Sequence, residues 1–304
     1  MHRTVAQLAI YELPRSMQAF FFTNKDSLVY GAPRPDIRRT KDESEGSKHY
    51  MDMERFGADA FKVVPHNFQE AVAKYTLDTL EKYGTLPYVV MEYMDKLTQA
   101  FRSQNEDSIV FYAADLSHYI ADAHVPLHTS INYDGQLTGQ HGIHDLWETT
   151  VPEVEITNYN LSSRHKARYL QSPSDEIWKI IEHTFSLLPE VFEKEKEVSK
   201  NFTDSTKYRW EVRWGKNRRF YTREFASQYS RALKTSINDQ LIASSNALAD
   251  FWYTAWVNAG KPDLNKLLSG KYNKKAFKAE QKAFRKNQLM KKRVLIATLR
   301  MTKD

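Results

Sequence analysis

The sequence predicts an all-α protein, built as a single multi-helix domain with a basic tail. Apolar residues recur mostly at helical intervals, whereas the alternating polar and apolar runs that are typical of strands are scarce. Asparagine and proline residues also stand where helices would begin. With 304 residues, of which 41% are apolar, the chain is long enough to bury a sizeable core.

The N-terminal segment predicts two helices and a long loop. The first helix begins near His2 and is interrupted by Pro14, and Ser16 can cap the second. Residues 29–48 contain glycines, prolines and many charges, so they are predicted to be a loop. Loops of this length in a compact domain usually have a function or are disordered. This one leads into the sequence HYMDM at residues 49–53.

Three helices are predicted next, and each has a start signal. Pro65 and Asn67 precede the first, Pro87 lies in the first turn of the second, and Asn105 caps the third. The first closes near Gly84, and the predicted bounds are 67–84, 86–102 and 105–126. The polar, glycine-bearing segment 131–143 after them is predicted to be a loop.

The C-terminal half predicts two long helices. One spans residues 175–200, and the other spans 222–258 with a break or bend near the polar residues 236–239. The sequence Gly-Lys-Pro at residues 260–262 ends the ordered body. We therefore divide the chain into a helical domain, residues 1–265, and a C-terminal tail, residues 266–304.

The tail carries most of the positive charge. Residues 266–304 contain 13 lysines and arginines against Glu280 and Asp304, whereas residues 1–265 have 31 basic and 36 acidic residues, a net charge of −5. A basic tail can bind nucleic acid or an anionic membrane surface, but a solvated or frayed terminal helix is the commoner case. We expect residues 272–304 to be dispensable for catalysis.

The composition excludes several classes of protein. There is no cysteine, so disulfides, thiolate zinc sites and cysteine nucleophiles are excluded, and any metal must be bound by His, Asp and Glu. Residues 241–257 include Asn246 and Asp250 and do not reach the length of an apolar membrane span. No basic segment followed by an apolar stretch precedes His2, so no signal peptide is expected in this chain.

Five of the ten histidines lie between residues 118 and 144. His118 and Asp122 are spaced i, i+4, so both project from one helix face and can bind one cation. His144 and Glu148 repeat this spacing, and His128 lies between the two pairs. One such pair is more often an ion pair or a buried histidine. Two pairs around His128 indicate a metal site of the hydrolytic zinc or di-iron type.

These residues carry a family resemblance. The sequence HYIADAHVPLH at residues 118–128, followed by His144-x3-Glu148, resembles the central signature of the zinc-dependent phospholipase C and single-strand-specific nuclease superfamily. The sequences HRTVAQLA at 2–9, DIRR at 36–39 and HYMD at 49–52 match the upstream elements in the same order. The resemblance implies a mostly helical fold with three zinc ions.

Carried over residue by residue, the resemblance implies the ligands of each ion. The first ion would be bound by Asp36, His49, His118 and Asp122. Asp122 would bridge to a second ion that His2 also binds. The catalytic candidates are Asp36 and Asp122, because Asp36 can orient or deprotonate the attacking water and Asp122 serves two ions. The third ion would be bound by His128, His144 and Glu148.

The resemblance also covers residues around the ligands. Arg39 and Asp52 match an ion pair that orients the ligands. In the family a tryptophan precedes the first histidine, and its amino and carbonyl groups bind a zinc. Here only Met1 precedes His2, so we expect this ligand set to be incomplete, with about two ions bound. The histidines that match no ligand position are His66, His124, His141, His165 and His183.

The resemblance implies metal-assisted hydrolysis of phosphate esters without a covalent nucleophile. Glu148 resembles the phospholipase branch, because the nuclease branch generally has Asp there. We therefore predict a phospholipase C-like phosphodiesterase, with a single-strand-specific endonuclease or 3′-nucleotidase as the alternative. Five aromatic side chains could stack on bases. They are Tyr133, Trp147, Tyr208, Trp210 and Trp214. Packing in the core or against lipid is nevertheless the commoner role of such residues.

Two other classes stay open. A di-iron helical protein uses similar pairs of ligands, but its Glu-x2-His pattern is missing here. A non-enzymatic binder of nucleic acid or membranes would depend on residues 266–304. The expected partner is thus a phospholipid or nucleic-acid substrate, no obligate protein partner is evident, and the family implies a secreted or periplasmic protein.

Overall fold

The computed structural model describes residues 1–213 and 215–299. These residues form helices and a single two-stranded sheet, which confirms the predicted all-α fold. No helix in this part of the chain is both long and apolar enough to cross a membrane.

The first half of the chain consists of nine helices and three 3₁₀ turns in the described residues. The helices are α1 (His2–Ile10), α2 (Arg15–Thr23), α3 (Lys25–Gly31), α4 (Arg34–Arg39), α5 (Ala60–Val63), α6 (Phe68–Tyr75), α7 (Leu77–Tyr83), α8 (Leu86–Arg102) and α9 (Glu106–Asp122). The 3₁₀ turns are Glu43–His49, Met53–Phe56 and Pro126–Thr129.

The second half contains shorter elements around two long helices. The helices are α10 (Ile143–Asp145), α11 (Val151–Glu155), α12 (Pro173–Ser186), α13 (Leu188–Ser199), α14 (Asp204–Lys207), α15 (Arg223–Leu233), α16 (Ser236–Asn258), α17 (Lys274–Arg285) and α18 (Ile296–Leu299). A π-helical turn, Leu146–Thr150, joins α10 to α11. The strands are β1 (Tyr208–Arg213) and β2 (Lys216–Tyr221).

Helix α9 lies at the centre of the fold and packs against α1, α3, α8 and α16. Asn105 caps it as predicted, because its side chain accepts a hydrogen bond from the amide of Ser108 at 2.8 Å. The Trp252 indole of α16 donates to the carbonyl of Ala113 at 3.1 Å. Since the second half of α9 is buried, His118 and Asp122 lie in the interior. Buried polar groups of this kind need partners.

The predicted loop at residues 29–48 is wrong. Most of these residues belong to α3, α4 and the 3₁₀ turn at 43–49. Pro35 lies in the first turn of α4, where a proline is well tolerated because its missing N–H has no helical partner there. Gly31 ends α3 at a close approach to α9, where an added Cβ would lie 3.0 Å from Ala114. Prolines and glycines here start and pack helices.

Other predicted bounds shift at identifiable residues. The predicted helix at 67–84 is split into α6 and α7 at Thr76, which has a φ of +70°. The helix at 175–200 is split between α12 and α13, where Pro189 lies in the first turn of α13. Helix α2 begins at Arg15, and Ser16 does not cap it. Helix α9 ends at Asp122, ahead of Pro126.

The two strands form a hairpin that the sequence prediction missed. They pair antiparallel with Tyr208 opposite Tyr221 and Trp210 opposite Arg219. The base of the hairpin is anchored in the protein. Tyr221 is buried there, and its hydroxyl donates a hydrogen bond to Glu195 at 2.9 Å. The signal was present as an alternation of apolar and charged residues from Tyr208 onward.

The C-terminal segment packs against the N-terminal helices. Phe277 and Phe284 of α17 are buried against Tyr11, with ring centroids 6.5 Å and 5.3 Å away. Leu289 and Leu295 are also buried. Residues 274–295 therefore do not form the solvated or frayed helix that was expected. Residues 300–304 of the predicted tail lie outside the described residues.

Hydrogen bonds join this segment to α1, the helix that carries His2. The Gln7 amide donates to the carbonyl of Val294 at 2.7 Å and accepts from the amide of Ile296 at 2.8 Å. The Gln281 side chain donates to the carbonyl of Tyr11 at 2.7 Å. The division of the chain at residue 265 stays a prediction, which removal of the segment would test.

The segment between α11 and α12 has no regular structure and is held against α16. His165 Nε2 lies 2.7 Å from Asp250 Oδ1, and the Arg168 amide donates to the same oxygen at 2.7 Å. Glu12 lies beside this contact and is buried. Burial raises the pKa of Glu12 to about 7; the hydrogen bond to Ser163 and the charge of His165 oppose this rise. Glu12 therefore couples the stability of this region to pH.

Candidate metal centre

All eight predicted ligands meet at one place in the fold. They come from the first turn of α1, from α4, from the 3₁₀ turns at 43–49 and 126–129, from the last turns of α9, and from α10 and the π-helical turn. The helices that meet here are distant in sequence, so only the tertiary fold assembles the centre. The predicted ligands are His2, Asp36, His49, His118, Asp122, His128, His144 and Glu148.

The first group contains His49, His118 and Asp122. His49 Nδ1 lies 2.9 Å from Asp122 Oδ2 and 3.0 Å from His118 Nε2, and His118 Nε2 lies 3.2 Å from Asp122 Oδ2. Asp36 Oδ1 is 3.8 Å from His49 Nδ1 and 3.7 Å from His118 Nε2. Ligand atoms that share one tetrahedral zinc lie about 3.3 Å apart. The group thus fits one ion.

The second group is built around His2. Its Nε2 atom lies 2.9 Å from Glu148 Oε1, 3.6 Å from Asp122 Oδ1 and 4.0 Å from Asp36 Oδ2. Asp122 therefore directs one oxygen at each of two groups, which is the arrangement of a bridging carboxylate. The proximity of Glu148 to His2 was not predicted from the sequence.

The third group contains His128, His144 and Glu148. His128 Nε2 lies 2.8 Å from His144 Nε2, and Glu148 Oε2 lies 3.3 Å and 3.1 Å from these two nitrogens. Because Glu148 Oε1 faces His2, the second and third groups also share a carboxylate. The three groups are consequently contiguous, joined through Asp122 and Glu148.

The π-helical turn places Glu148 between the two groups. In a regular helix, the amide of residue 152 would donate to the carbonyl of residue 148. Residue 152 is a proline and has no N–H, so this hydrogen bond cannot form. The turn widens at residues 146–150 before α11 begins. Insertions of this kind occur frequently at functional sites.

Backbone carbonyls orient two of the imidazoles. His118 Nδ1 lies 2.9 Å from the carbonyl of Ala32, and His128 Nδ1 contacts the carbonyl of His49. A carbonyl only accepts, so each Nδ1 carries the proton and each Nε2 presents its lone pair to the other ligands. Metal-binding histidines are commonly held in this way.

Several buried polar atoms of the centre have no hydrogen-bond partner among the described residues. They are Asp122 Oδ1, His2 Nδ1 and His49 Nε2. A buried carboxylate oxygen without a donor costs a substantial desolvation energy. A cation bound between Asp122 and His2 would satisfy the oxygen. The donor set, imidazole and carboxylate without thiolate, suits zinc.

The ionisation of the centre favours cation binding. Burial opposes ionisation of Asp122, but the charges of His118 and His128 hold its pKa well below the usual range. Burial likewise opposes ionisation of Glu148, and its hydrogen bonds to His128, His144 and His2 hold its pKa well below the usual range. Both carboxylates are therefore negatively charged at neutral pH, which is the state in which a carboxylate binds a metal ion.

A buried ionic network lies behind the first group, and the sequence prediction missed it. Glu45 is fully buried and accepts hydrogen bonds from Arg38 at 2.9 Å, from Lys48 at 2.9 Å and from the hydroxyl of Tyr119. Burial opposes ionisation of Glu45, but these donors lower its pKa to about 2. Its Oε1 atom is 3.9 Å from His49 Nε2.

A second buried carboxylate extends this network. Asp115 accepts from Arg34 at 2.9 Å and from Arg38 at 2.9 Å, and it precedes His118 by one helical turn. Glu45 similarly precedes His49 by four residues. Such local spacings were a signal, but the arginine partners could not be assigned without the tertiary structure.

Arg39 and Asp52 do not form the predicted ion pair in the part of the chain that the structure describes. Both line a cleft of about 680 Å³ instead. Burial, together with the nearby charge of Glu54, raises the pKa of Asp52 to about 6. The cleft opens beside the third group of ligands; its walls include Arg39, Tyr50, Asp52, His128, Tyr133 and His144.

The predicted base-stacking residues have different positions. Tyr133 lines the cleft and is 52% exposed, so its ring is available to a ligand. Trp147 is fully buried in the core and cannot stack on a base. Tyr208 packs against Tyr221, with ring centroids 5.0 Å apart, and Trp210 is exposed on the hairpin. Trp214 lies outside the described residues.

The five remaining histidines do not join any group of ligands in residues 1–213 and 215–299. His66 stacks on Trp178 and lies 3.0 Å from Asp175. His124 is buried, and its Nδ1 is 2.8 Å from the carbonyl of Ile120. Burial lowers the pKa of His124 to about 4, so it is neutral.

Comparison with known families decides the class of protein. The sequence profile of the S1/P1 nuclease family matches residues 2–287. The chain belongs to this family. The resemblance stated from residues 2–148 is therefore confirmed and extends through α17. No curated protein shows significant similarity to the chain.

Family membership identifies the protein as a zinc-dependent phosphoric ester hydrolase. It supports the nuclease alternative better than the phospholipase C-like activity that Glu148 suggested. The presence of Glu in place of Asp at this position was too small a difference to identify the branch. In this chain the Glu148 carboxylate contacts His2 Nε2 at 2.9 Å.

Proposed function

We propose that the protein is a zinc-dependent nuclease that hydrolyses phosphodiester bonds in single-stranded nucleic acids. The observation that carries the proposal is the junction of three ligand groups through Asp122 and Glu148, beside a cleft with aromatic walls. Family membership supports a nucleic-acid substrate. Stacking on aromatic rings favours unpaired bases, because only these expose a free face.

The ligand groups would bind zinc, which supplies charge neutralisation at the phosphate and activates water as the nucleophile. Asp36 is the most exposed of the eight ligands, at 52%, so its carboxylate can orient the attacking water or accept its proton. The guanidinium of Arg39, in the cleft wall, can bind a phosphate oxygen. Tyr50 and Tyr133 can contact the base.

The three ligand groups favour three ions. Native mass spectrometry of the purified protein would count them, since each bound zinc adds a resolved mass increment. Export of the protein, expected from the resemblance, stays a prediction.

A substrate panel tests the proposed function. Purified, zinc-loaded protein would be assayed on single-stranded DNA, RNA, double-stranded DNA and lecithin, with an Asp122→Asn variant as the control for contaminating nuclease. We expect cleavage of both single-stranded substrates, slower cleavage of the duplex, and no activity in the variant. Hydrolysis of lecithin with intact single-stranded DNA would assign the phospholipase C-like activity instead.

A further inference from the structure

A dense row of basic side chains covers the outer surface of the C-terminal segment. All of them are solvent-exposed. We call this surface the basic ridge; it consists of Lys274, Lys275, Lys278, Lys282, Arg285, Lys286, Lys291, Lys292 and Arg293.

No carboxylate of residues 1–213 or 215–299 forms an ion pair with the ridge. The nearest acidic residue in sequence, Glu280, is directed inward, where it lies 2.8 Å from Lys25 Nζ and accepts from the Tyr11 hydroxyl at 2.7 Å. The positive charge of the ridge is therefore not neutralised by ion pairs within the described residues, which leaves it available to an external polyanion.

The spacing of the ridge is unfavourable for the helix itself. Lys274, Lys278, Lys282 and Lys286 follow one another at intervals of four residues, so their ammonium groups are neighbours. Like charges at this spacing destabilise a helix. A bound polyanion would turn this repulsion into attraction, because successive phosphates would lie between the ammonium groups.

The ridge is fixed rigidly to the body of the protein. The opposite face of α17 is buried through Phe277, Ala283 and Phe284. Gln281 also donates to the carbonyl of Tyr11. Because the apolar face is already covered, α17 cannot insert it into a lipid bilayer, as membrane-bound amphipathic helices do. A polymer of phosphates fits this rigid basic surface better than a membrane does.

The segment that bears the ridge packs against α1, the helix that carries His2. The hydrogen bond from Gln281 to Tyr11 places α17 at the C-terminal end of α1. Tyr11 lies about 13 Å from His2 along the helix axis. Further along the chain, Val294 accepts a hydrogen bond from Gln7, which lies about 8 Å from His2 along the axis of α1. A ligand that reaches both the centre and the ridge must therefore be longer than one nucleotide.

We infer that the basic ridge is an accessory binding surface for the phosphate backbone of a polymeric single-stranded nucleic acid. The inference rests on the proposed nuclease function for the identity of the polymer. The ridge contacts sugar-phosphate groups away from the bond that is cleaved. It thereby raises affinity for long strands and contributes little to short ones.

Charge removal tests the ridge directly. A variant with Lys274→Gln, Lys278→Gln and Lys282→Gln would be compared with a control that removes three exposed lysines elsewhere, by Lys166→Gln, Lys179→Gln and Lys200→Gln. Binding of a long phosphorothioate single-stranded DNA, which resists cleavage, would be measured at several salt concentrations. Turnover of a dinucleotide would be measured in parallel, and thermal unfolding would verify the fold of both variants.

We expect the ridge variant to bind the long strand about 50-fold more weakly at 0.15 M salt, with a salt slope that is smaller by about 2. Dinucleotide turnover should not change. An equal loss of affinity in the control variant would show that the loss depends only on the net charge of the protein, and it would overturn the inference. Unchanged DNA affinity, with weaker binding to phosphatidylserine vesicles, would overturn it in favour of a membrane surface.

The inference and the proposed function fail separately. If binding depended on the ridge but the protein cleaved no single-stranded DNA, the accessory surface would be supported and the nuclease function would be rejected. If the protein cleaved single-stranded DNA but all variants bound it equally, the nuclease function would be supported and the accessory surface would be rejected.

Discussion

Replacement of Glu45 by glutamine is expected to weaken zinc binding and to lower stability. The variant keeps the size of the side chain but removes a buried charge that Arg38, Lys48 and Tyr119 contact. Loss of one partner of a buried ion pair costs about 3–5 kcal/mol. Arg38 and Lys48 are each 25% exposed, and Arg38 keeps Asp115, so we expect about 2 kcal/mol.

The effect on zinc follows from the position of Glu45 beside His49. The carboxylate is 3.9 Å from His49 Nε2, and this nitrogen has no other partner in the described residues. Loss of groups that orient metal ligands usually weakens metal affinity about 10- to 100-fold. Competition with a chromophoric chelator would measure this affinity, and urea unfolding of the zinc-loaded protein would measure stability.

Asp250→Asn is the matched control, because Asp250 is a buried carboxylate with an arginine and a histidine partner outside the centre. It should lower stability and leave zinc affinity unchanged. If Glu45→Gln behaved in the same way, Glu45 would have only a structural role and would not orient His49.

Three further predictions concern the bridging ligand, pH and the C-terminal segment. Asp122→Ala and Glu148→Ala should both lower activity and zinc content, because each carboxylate joins two ligand groups, and His141→Ala should change neither, as metal analysis and initial rates would show; equal damage by His141→Ala would contradict the ligand set. The pKa of Glu12 is about 7 when folded, against 4.5 for the free side chain, so the folded state holds more protons between these values. Stability should fall by up to about 3 kcal/mol as pH rises from 4.5 to 7. Urea unfolding at several pH values should show no such loss in Glu12→Gln, and an equal loss in the variant would assign it to another group. Removal of residues 272–304 should lower the melting temperature and zinc retention, because α1 loses its hydrogen bonds; an unchanged melting temperature would support the domain boundary at 265 and the dispensability first expected from the sequence.

The ligands of the centre could be predicted because their spacing is local. His118 and Asp122 lie one helical turn apart, as do His144 and Glu148, and the resemblance supplied the remaining positions. The structure brings each of them into a group whose ligand atoms lie within 4.8 Å of one another. Ligation itself stays a prediction, which the variants above test.

The support of the centre could not be predicted, because it depends on contacts between distant segments. Glu45 gains its role from Arg38, Lys48 and Tyr119, which three different elements supply. The contact of Glu148 with His2 requires the π-helical turn. The expected pair of Arg39 and Asp52 failed for the same reason, since matching motif positions do not fix the distance between two side chains.

Errors in the fold came from reading local composition without tertiary context. Residues 29–48 have the glycines and prolines of a loop, yet Pro35 and Gly31 begin and end helices that pack on α9. The C-terminal segment has the charge of a solvated helix, yet its apolar residues recur at the spacing that buries Phe277 and Phe284. Net charge concealed an amphipathic pattern.

The most direct test of the proposed nuclease is the rate of single-stranded DNA cleavage as zinc is returned to metal-stripped protein. Cleavage should appear only as zinc binds, rise in proportion to zinc bound per chain, and be absent in Asp122→Asn at any zinc concentration. Cleavage by the metal-free protein at the full rate would contradict the zinc-dependent function, and so would a fully zinc-loaded protein that leaves single-stranded DNA intact.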